Sequence, residues 1–581
     1  MVSILLPLLL AGMGAILSLG WGAAAAAAYA AASLAIVALG AGGALGAWPL
    51  AFTAELRLLP WLPAWRVELA AGWLGSVFLI ASGLALLVSS IYMYRDEGLQ
   101  RLARISIGLG IAGTFLLVLA RDVLTLLASW EMLSFAVALA AASTGDKRSG
   151  LLYLILMHVV SLPMIASIAF MIGQGVTWFD KLPAATLPLV EAALLAAYTA
   201  KAGLPPLGFW IPPVYSSTRG SSGGLLVASE LPPLYQAFLL LTYSRPGMIL
   251  VALYVQAMAG IAVGFAGGLW AKHARRVLGY TTMEYSGFEW LLLTLYASTS
   301  LDLVLAGLAA LIVAHAAYKA GLLASTWDLV RVAGTDNLAS SPGICRDHNT
   351  ACRLAAFASS SALPVPPLAA SIGELMLIYS LAIIARSYPP LPWTYAALLA
   401  AVILAPVTGM AYGRVASALL GGDAAAESKP LPDYAITAVL AAAPILAALA
   451  AARLTPGLLN WLTLYAIAAS CLATARAVKP PRTRVWLSGE TIHSTSLVAA
   501  AVGLAAPSPR LSVEDVAYRL RMPILREITY APAYHWAARR LAALSKHIMR
   551  LHNGKLHLYL ALLLAYMVLL FILALWVVFY A

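Results

Sequence analysis

The chain has 581 residues, of which 62% are hydrophobic and only 10% are charged, and its mean hydropathy is +0.88. This composition excludes an ordinary soluble globular domain and is typical of a polytopic membrane protein. The net charge of +12 does not indicate a nucleic-acid partner, because the basic residues cluster between hydrophobic segments.

Hydrophobic segments long enough to cross a bilayer as helices recur along the whole chain. Roughly sixteen segments reach the required length of about 20 mostly apolar residues, and they predict an all-α polytopic membrane fold. They are approximately 1–19, 22–48, 69–93, 103–120, 122–143, 149–173, 187–204, 222–243, 247–270, 277–298, 301–324, 353–386, 393–420, 432–453, 458–478 and 557–580. The first lacks a basic n-region and hydrophobic helices follow at once, so we interpret it as a membrane helix and not as a signal peptide.

Alternate loops are rich in Arg and Lys, which predicts their orientation. With the N-terminus outside, the basic loops 95–104, 144–150, 271–276 and 346–353 all fall on one side, which the positive-inside rule makes the cytoplasm. The basic segment 479–556 falls on the same side. Its apolar residues alternate with Arg and Lys at helical spacing, which favours an interfacial amphipathic helix over a disordered tether.

The predicted spans contain few ionisable residues. An ionisable group inside a bilayer is costly to bury, so each one is a candidate functional residue. They are Glu131 in the run LLASWEMLSFAVALA, His158, Lys201, Glu284, His315 and Lys319 (four residues apart and so on one helix face), and Glu374. A lone buried charge is as well explained by helix packing, and His158 by a structural hydrogen bond, but the set as a whole indicates a pathway.

Proline clusters predict two broken helices. LPP and IPP follow Lys201, and LPVPP precedes Glu374. Broken helices survive in a membrane only where protein or water satisfies the freed backbone groups, and a pair of them in corresponding halves marks a transport site. Desolvation disfavours a charged lysine and a nearby carboxylate favours it, so a Glu–Lys pair is able to gate proton transfer.

No motif predicts a soluble active site or a metal centre. The chain has no GxGxxG or Walker-type loop, and three cysteines are too few for an iron–sulfur cluster, which needs four ligands. Cys345 and Cys352 flank His348, but two unpaired loop thiols explain this spacing better than zinc does. We therefore expect no cofactor and no metal, and an enzymatic role only through partner subunits.

Several motifs resemble those of the proton-translocating, antiporter-like subunits of complex I and its relatives. SWEMLSF resembles FWELMSL, TAKAGLPPLGFWIPP resembles KAGLFPLHFWLP, AHAAYKAGLL resembles HALFKALLF, and LPVPPLAASIGE resembles GLPPLNGFVSE. The resemblance covers about residues 100–420. It implies proton-path roles for Glu131, Lys201, Lys319 and Glu374, with His315 as a neighbour and Glu284 as a weaker member.

Within this family the chain is most similar to the large membrane subunit of formate hydrogenlyase and hydrogenase-4. GYTTMEYSG resembles AYHSVENIG, VWLSGE resembles a tryptophan–Cys–Gly loop with Ser488 for the Cys, and LHNGKLHLYLALLLAY resembles that branch's tail. The resemblance implies N-terminal helices at 1–100, an antiporter-like core at 101–425 with inverted five-helix repeats near 103–243 and 247–420, and added helices at 426–478. The amphipathic segment 479–556 and an anchoring helix at 557–581 follow.

The chain departs from the family pattern between its two halves. The family histidine is Gly208 here, and the family's lysine or histidine on the eighth helix has no match. Glu230 lies nearby, followed by Pro232 and Pro233, so either Glu230 takes over part of the central path or the subunit is a weakened pump.

Three functions remain open on the sequence. The first is a proton-translocating subunit of a [NiFe]-hydrogenase-like or NADH dehydrogenase-like complex in the cell membrane, whose partners are other membrane subunits and a peripheral arm with iron–sulfur proteins. The second is a Na⁺/H⁺ antiporter subunit. The third is a structural subunit that has lost its path.

Overall fold

The computed structural model describes residues 2–338 apart from 58–63, 95, 97, 144–146, 183–186 and 244–246. It also describes 369–387, scattered helical positions between 397 and 454, and 483–494 apart from 488–489. The α-helices are α1 (Val2–Leu17), α2 (Gly22–Ala44), α3 (Trp73–Met93), α4 (Arg101–Leu119), α5 (Val123–Ala142), α6 (Lys147–Gly173), α7 (Leu187–Lys201), α8 (Ile211–Ser217), α9 (Gly220–Tyr243), α10 (Gly247–Trp270), α11 (Ala274–Thr299), α12 (Asp302–Ala333) and α13 (Ala369–Ser387). The strands are β1 (Leu50–Leu56), β2 (Trp65–Ala71), β3 (Thr483–Leu487) and β4 (Glu490–Ser494).

The helices confirm a protein that crosses the membrane several times. Within the part of the chain that the structure describes, eight helices are long and apolar enough to span a bilayer, namely α2 to α6, α9, α10 and α12. The predicted total of about sixteen spans stays a prediction. Helices α3, α9 and α12 are buried along almost their whole length, whereas α6 and α10 lie at the periphery. The centre of the fold is therefore built on α3, α9 and α12.

A β-hairpin between α2 and α3 is an addition to the otherwise helical fold of this region that the sequence did not predict. Strand β1 pairs antiparallel with β2, with Leu50 opposite Ala71 and Leu56 opposite Trp65. Exposed and partly covered residues alternate along β1, which is the two-residue period of a strand and not of a helix. The predicted span at 69–93 begins instead at Trp73.

One carboxylate joins this hairpin to the start of α5. Asp122 Oδ1 accepts a hydrogen bond from the backbone N–H of Thr125 at 2.7 Å, which caps the helix. The same carboxylate accepts from Trp65 Nε1 at 3.0 Å and from the Glu68 backbone N–H at 2.9 Å. The hairpin is therefore fixed to the end of a membrane helix.

The first predicted helix break is confirmed. Helix α7 ends at Lys201, and Gly203 takes a positive φ of +82° that favours glycine. The Leu204 N–H donates to the Thr199 carbonyl at 2.9 Å, which is the Schellman pattern of a helix end, and Trp210 Nε1 donates to the Ala200 carbonyl at 2.8 Å. The helix resumes as α8, so the sequence AKAGLPP breaks it beside the lysine. The second predicted break, at 363–367, lies outside the described residues.

A second hairpin is described in the C-terminal region. Strands β3 and β4 pair antiparallel, with Thr483 opposite Ser494 and Leu487 opposite Glu490. This hairpin includes the VWLSGE motif and lies ahead of the stretch for which an amphipathic helix is predicted. The helical pattern at 511–552 and the anchoring helix at 557–580 lie outside the described residues.

Candidate functional site: a buried line of charged residues

Lys201 is held at the end of α7 against α5. Its Nζ donates to Ser134 Oγ at 2.5 Å and to the Trp130 carbonyl at 3.3 Å. The ammonium also lies 3.9 Å from the centroid of the Trp130 ring, a favourable cation–π distance. The side chain is completely buried. The helix break after Lys201 thus places an ammonium group among neutral oxygens and an aromatic ring.

Glu131 is adjacent to Trp130 in the sequence, yet it pairs with a different helix. Its Oε2 lies 3.5 Å from His158 Nε2 on α6, and His158 Nδ1 contacts the Leu154 carbonyl at 2.8 Å. Among the described residues, no ion pair within 4.0 Å joins Glu131 to Lys201, although the two lie within electrostatic range. The predicted Glu131–Lys201 pair is therefore a through-space interaction, and His158 is the direct partner of the carboxylate.

Lys319 occupies a similar environment in the second half of the core. It lies near the middle of α12, completely buried. Its Nζ donates to Thr281 Oγ1 at 2.8 Å, to the Tyr412 hydroxyl at 2.7 Å and to the Leu278 carbonyl at 3.3 Å. Both lysines are thus bound by hydroxyl and carbonyl oxygens at helix–helix contacts.

Of the predicted carboxylates, Glu284 lies within electrostatic range of this second lysine, and Glu374 hydrogen-bonds to Tyr285, whose ring lies near the lysine. Glu284 Oε1 accepts from Thr408 Oγ1 at 2.5 Å, and Glu374 accepts a short hydrogen bond from the Tyr285 hydroxyl. Helix α10 packs closely on α11 at this point, since a Cβ on Gly264 would lie 2.3 Å from the Glu284 backbone nitrogen. The close approach brings the backbone of α11 against α10 and fixes the position of Glu284 relative to α10.

His315 does not pair with Lys319, its neighbour on the same helix. Its Nδ1 lies 2.8 Å from Glu289 Oε1 on α11, and both side chains are almost completely buried. The Tyr285 ring stacks on the imidazole with centroids 5.0 Å apart. Glu289 is a buried acid that no sequence motif marked.

Glu230 lies on the central helix α9, which packs both on α7, the helix of Lys201, and on α12, the helix of Lys319. Its Oε1 accepts from the Tyr215 hydroxyl of α8 at 2.6 Å, and the carboxyl group is buried. Glu230 is within electrostatic range of both Lys319 and Glu289. The structure therefore places a carboxylate in the region where the family pattern has a basic residue.

The backbone explains the glycine at position 208. A Cβ built on Gly208 would lie 1.7 Å from the Gly203 carbonyl oxygen and 2.2 Å from the Gly203 carbonyl carbon. No side chain fits there without moving the helix break itself. The histidine of the family pattern is thus incompatible with this conformation.

Sequence reasoning missed two buried groups of the site, Glu289 and Tyr215, and a third buried group outside it, Glu191. Glu289 and Glu191 each lie in an apolar run, GFEWLLL and PLVEAALL, so the reasoning that identified Glu131 applies equally to them. Tyr215 offered no such signal, because a tyrosine near a helix end is common. Its role depends on the fold of α8 over α9.

The described residues contain no group of three or more His, Cys, Asp or Glu side chains able to hold a metal ion. Cys345, His348, Cys352 and Cys471 lie outside them. The arrangement that the structure does show is a set of hydrogen-bonded acids, lysines and hydroxyl groups at membrane depth. Such groups are suited to holding and passing protons.

Comparisons with known proteins show what the chain is similar to. Residues 120–403 match the family model described as NADH:quinone oxidoreductase/Mrp antiporter, TM. The chain is 23% identical over 285 residues to a Na(+)/H(+) antiporter subunit of Alkalihalophilus pseudofirmus, covering 46% of this chain and 56% of that protein. It is 31% identical over 126 residues to NADH-ubiquinone oxidoreductase chain 2 of Saccopteryx leptura, covering 22% of this chain and 34% of that protein. The matches thus span about half or less of these curated relatives.

Three solved structures share the fold. The membrane-bound sulfane sulfur reductase, an archaeal respiratory membrane complex, contains a chain that matches with a TM-score of 0.70 and 18% identity, covering 98% of this chain and 100% of that one. The Mrp complex from Dietzia sp. DQ12-45-1b matches with a TM-score of 0.66 and 16% identity, over 98% and 62%. Respiratory complex I from Thermus thermophilus matches with a TM-score of 0.63 and 19% identity, over 81% and 99%. The chain therefore has the fold of these membrane subunits, and its residues 120–403 are similar to the antiporter-like family model.

Proposed function

We propose that this chain is a proton-translocating membrane subunit of a redox-driven complex. The observation that carries the proposal is the pair of completely buried lysines, Lys201 and Lys319, one in each half of the core. Among the described residues, neither has a carboxylate within ion-pair distance, and both are held by neutral oxygens and aromatic rings. A buried ammonium without a direct counter-ion is expensive to keep for stability alone. This cost is explained if each lysine gains and loses a proton during turnover.

The proposed path runs through both halves of the core. In the first half, Lys201 exchanges protons. The Glu131–His158 pair changes the stability of the charged form of Lys201 by electrostatic interaction, without direct contact. Glu230, with its Tyr215 hydrogen bond, connects this half to Lys319 in the second. Glu284, which acts on Lys319, and Glu374, which hydrogen-bonds to Tyr285, complete the proposed path.

The driving reaction belongs to partner subunits in this proposal. The motif set of this chain is that of a subunit without a redox centre, so the energy arrives through contacts with other membrane subunits and a peripheral iron–sulfur arm. A [NiFe]-hydrogenase-like arm is the version that the resemblance of GYTTMEYSG and VWLSGE favours. The nearly complete overlap with a chain of an archaeal respiratory membrane complex supports a respiratory setting.

The domain plan and the orientation are part of the same proposal. The core at 101–425 carries the path, the helices at 1–100 and 426–478 flank it, and 479–556 with 557–581 contact partner subunits. The basic loops and the 479–556 segment face the cytoplasm of a cell membrane.

A Na⁺/H⁺ antiporter subunit is the second candidate. The observation that favours it is the match to the Alkalihalophilus pseudofirmus antiporter protein over 46% of this chain. The two functions differ in ion dependence. Ion movement in vesicles that requires Na⁺ and proceeds without any redox substrate would establish the antiporter.

The third candidate is a purely structural subunit that has lost its proton path. Gly208 motivated it on the sequence. The Tyr215–Glu230 hydrogen bond argues against it, because a buried acid and hydroxyl occupy the centre that the missing groups would have used.

The test begins with the intact complex isolated from native membranes in mild detergent. Mass spectrometry identifies its subunits, and reconstitution into vesicles allows redox-driven proton movement to be followed with a pH-sensitive dye. Lys201→Met and Lys319→Met should each reduce proton movement at least about tenfold, while the complex still assembles. Lys181→Met is the matched control, because Lys181 is an exposed lysine outside the helices of the path. Unchanged proton movement in both buried-lysine variants would refute the proposal.

A further inference from the structure

The pair formed by Glu289 and His315 lies at the contact between α11 and α12, and no motif marked the acid. The Glu289 Oε1 to His315 Nδ1 distance is 2.8 Å, and the exposed fractions of the two side chains are 5% and 2%. Most of α11 around Glu289 is apolar, with Phe288, Trp290 and Leu291 buried beside it. An acid at such a position is stabilised only by a specific partner.

The imidazole of His315 has one engaged nitrogen and one open nitrogen. Nδ1 contacts Glu289, whereas Nε2 is buried and has no hydrogen-bond partner among the described residues. A purely structural histidine normally satisfies its buried nitrogens. An open ring nitrogen is what a proton relay requires, because a proton enters at one nitrogen and leaves at the other.

The charged groups around the pair come from both halves of the core. Glu289 is within electrostatic range of Glu230 on α9 and of Lys319 on α12, and Lys319 also acts on His315. Tyr285 of α11 stacks on the imidazole and donates its hydroxyl to Glu374. The pair therefore lies within electrostatic range of both the carboxylate of the first half and the lysine of the second.

We propose that Glu289 and His315 form a proton-holding dyad that connects Glu230 with Lys319; this inference rests on the proposed function. A proton taken up at His315 Nε2 forms the imidazolium, and the proton on Nδ1 then moves to Glu289 Oε1. The products are a neutral imidazole protonated at Nε2 and a neutral carboxylic acid. The dyad thus gains one proton and one positive charge relative to its starting state. It returns to that state when the Glu289 proton moves back to His315 Nδ1 and the Nε2 proton is released toward Lys319.

A structural pair and a proton-holding dyad predict different results for Glu289→Gln. Glutamine keeps the size of the side chain and can accept the hydrogen bond from Nδ1, but it cannot take a proton. The dyad therefore predicts an assembled complex whose redox-driven proton movement falls at least about tenfold, and Glu289→Asp should recover much of it. A structural pair predicts proton movement in Glu289→Gln that equals the wild type in every assembled complex.

The matched control is Glu191→Gln, which removes a completely buried carboxylate about 15 Å along α7 from Lys201. Infrared difference spectra recorded with and without reducing substrate provide a second measurement. The wild type should show a carboxylic-acid band that shifts in Glu289→Asp and persists in Glu191→Gln. If Glu289→Gln fails to assemble, this band decides: a band unaffected by Glu289→Asp refutes the dyad.

The controls separate this inference from the function on which it rests. Wild-type complex that moves no protons refutes the proposed function. Wild-type pumping that Lys319→Met abolishes and Glu289→Gln leaves intact refutes the dyad alone.

Discussion

A side chain at position 208 should disrupt the helix break that places Lys201. In Gly208→Ala the new Cβ would lie 1.7 Å from the Gly203 carbonyl oxygen, where ordinary contacts begin beyond 3 Å. Because the obstacle is backbone and not a flexible side chain, relief requires the 203–208 turn to move. Overpacking of this kind costs about 1–3 kcal/mol or more. Gly208→His, which restores the family residue, should be worse.

The measurement is the midpoint of urea unfolding of the detergent-purified protein, together with proton movement in reconstituted vesicles. Gly72→Ala is the matched control, since Gly72 lies just before α3, has an ordinary negative φ of −80°, and a Cβ there meets nothing within 4 Å. We expect Gly208→Ala to lose both stability and proton movement, and Gly72→Ala to lose neither. If Gly208→Ala is as stable and as active as the control, the break does not position Lys201 as we infer.

Two further predictions concern the hairpin and the junction. Asp122→Ala removes the acceptor for Trp65 Nε1 and the cap of α5, so it should lower the free energy of unfolding by about 1–3 kcal/mol and speed proteolysis of the hairpin. The control, Glu55→Gln, changes an exposed residue of the hairpin and should do neither. Equal proteolysis rates in the two variants would show that Asp122 does not anchor the hairpin. Glu230→Gln preserves the bond from Tyr215 but carries no proton, so redox-driven proton movement should fall about tenfold or more with assembly unchanged. Retention of full activity in that variant would remove Glu230 from the path.

Much of the architecture follows from local sequence. Hydrophobic length identified the membrane helices, because a bilayer demands about 20 apolar residues whatever their neighbours are. Glycine and paired prolines after Lys201 identified the helix break, because their backbone restrictions act at the residue itself. The hairpin at 50–71 was missed, since most of it falls in the gap between the predicted helices 22–48 and 69–93, and its strands are too short to show a clear period.

The sequence by itself determined that acids and lysines are buried at membrane depth, because the cost of a charge in an apolar run is a local property. Only the tertiary structure decided which groups are partners. Glu131 was expected beside Lys201 and instead pairs with His158, while His315 pairs with Glu289 and not with its helix neighbour Lys319. Partners on different helices depend on how those helices rotate and pack, and side-chain spacing within one helix contains no information about that rotation.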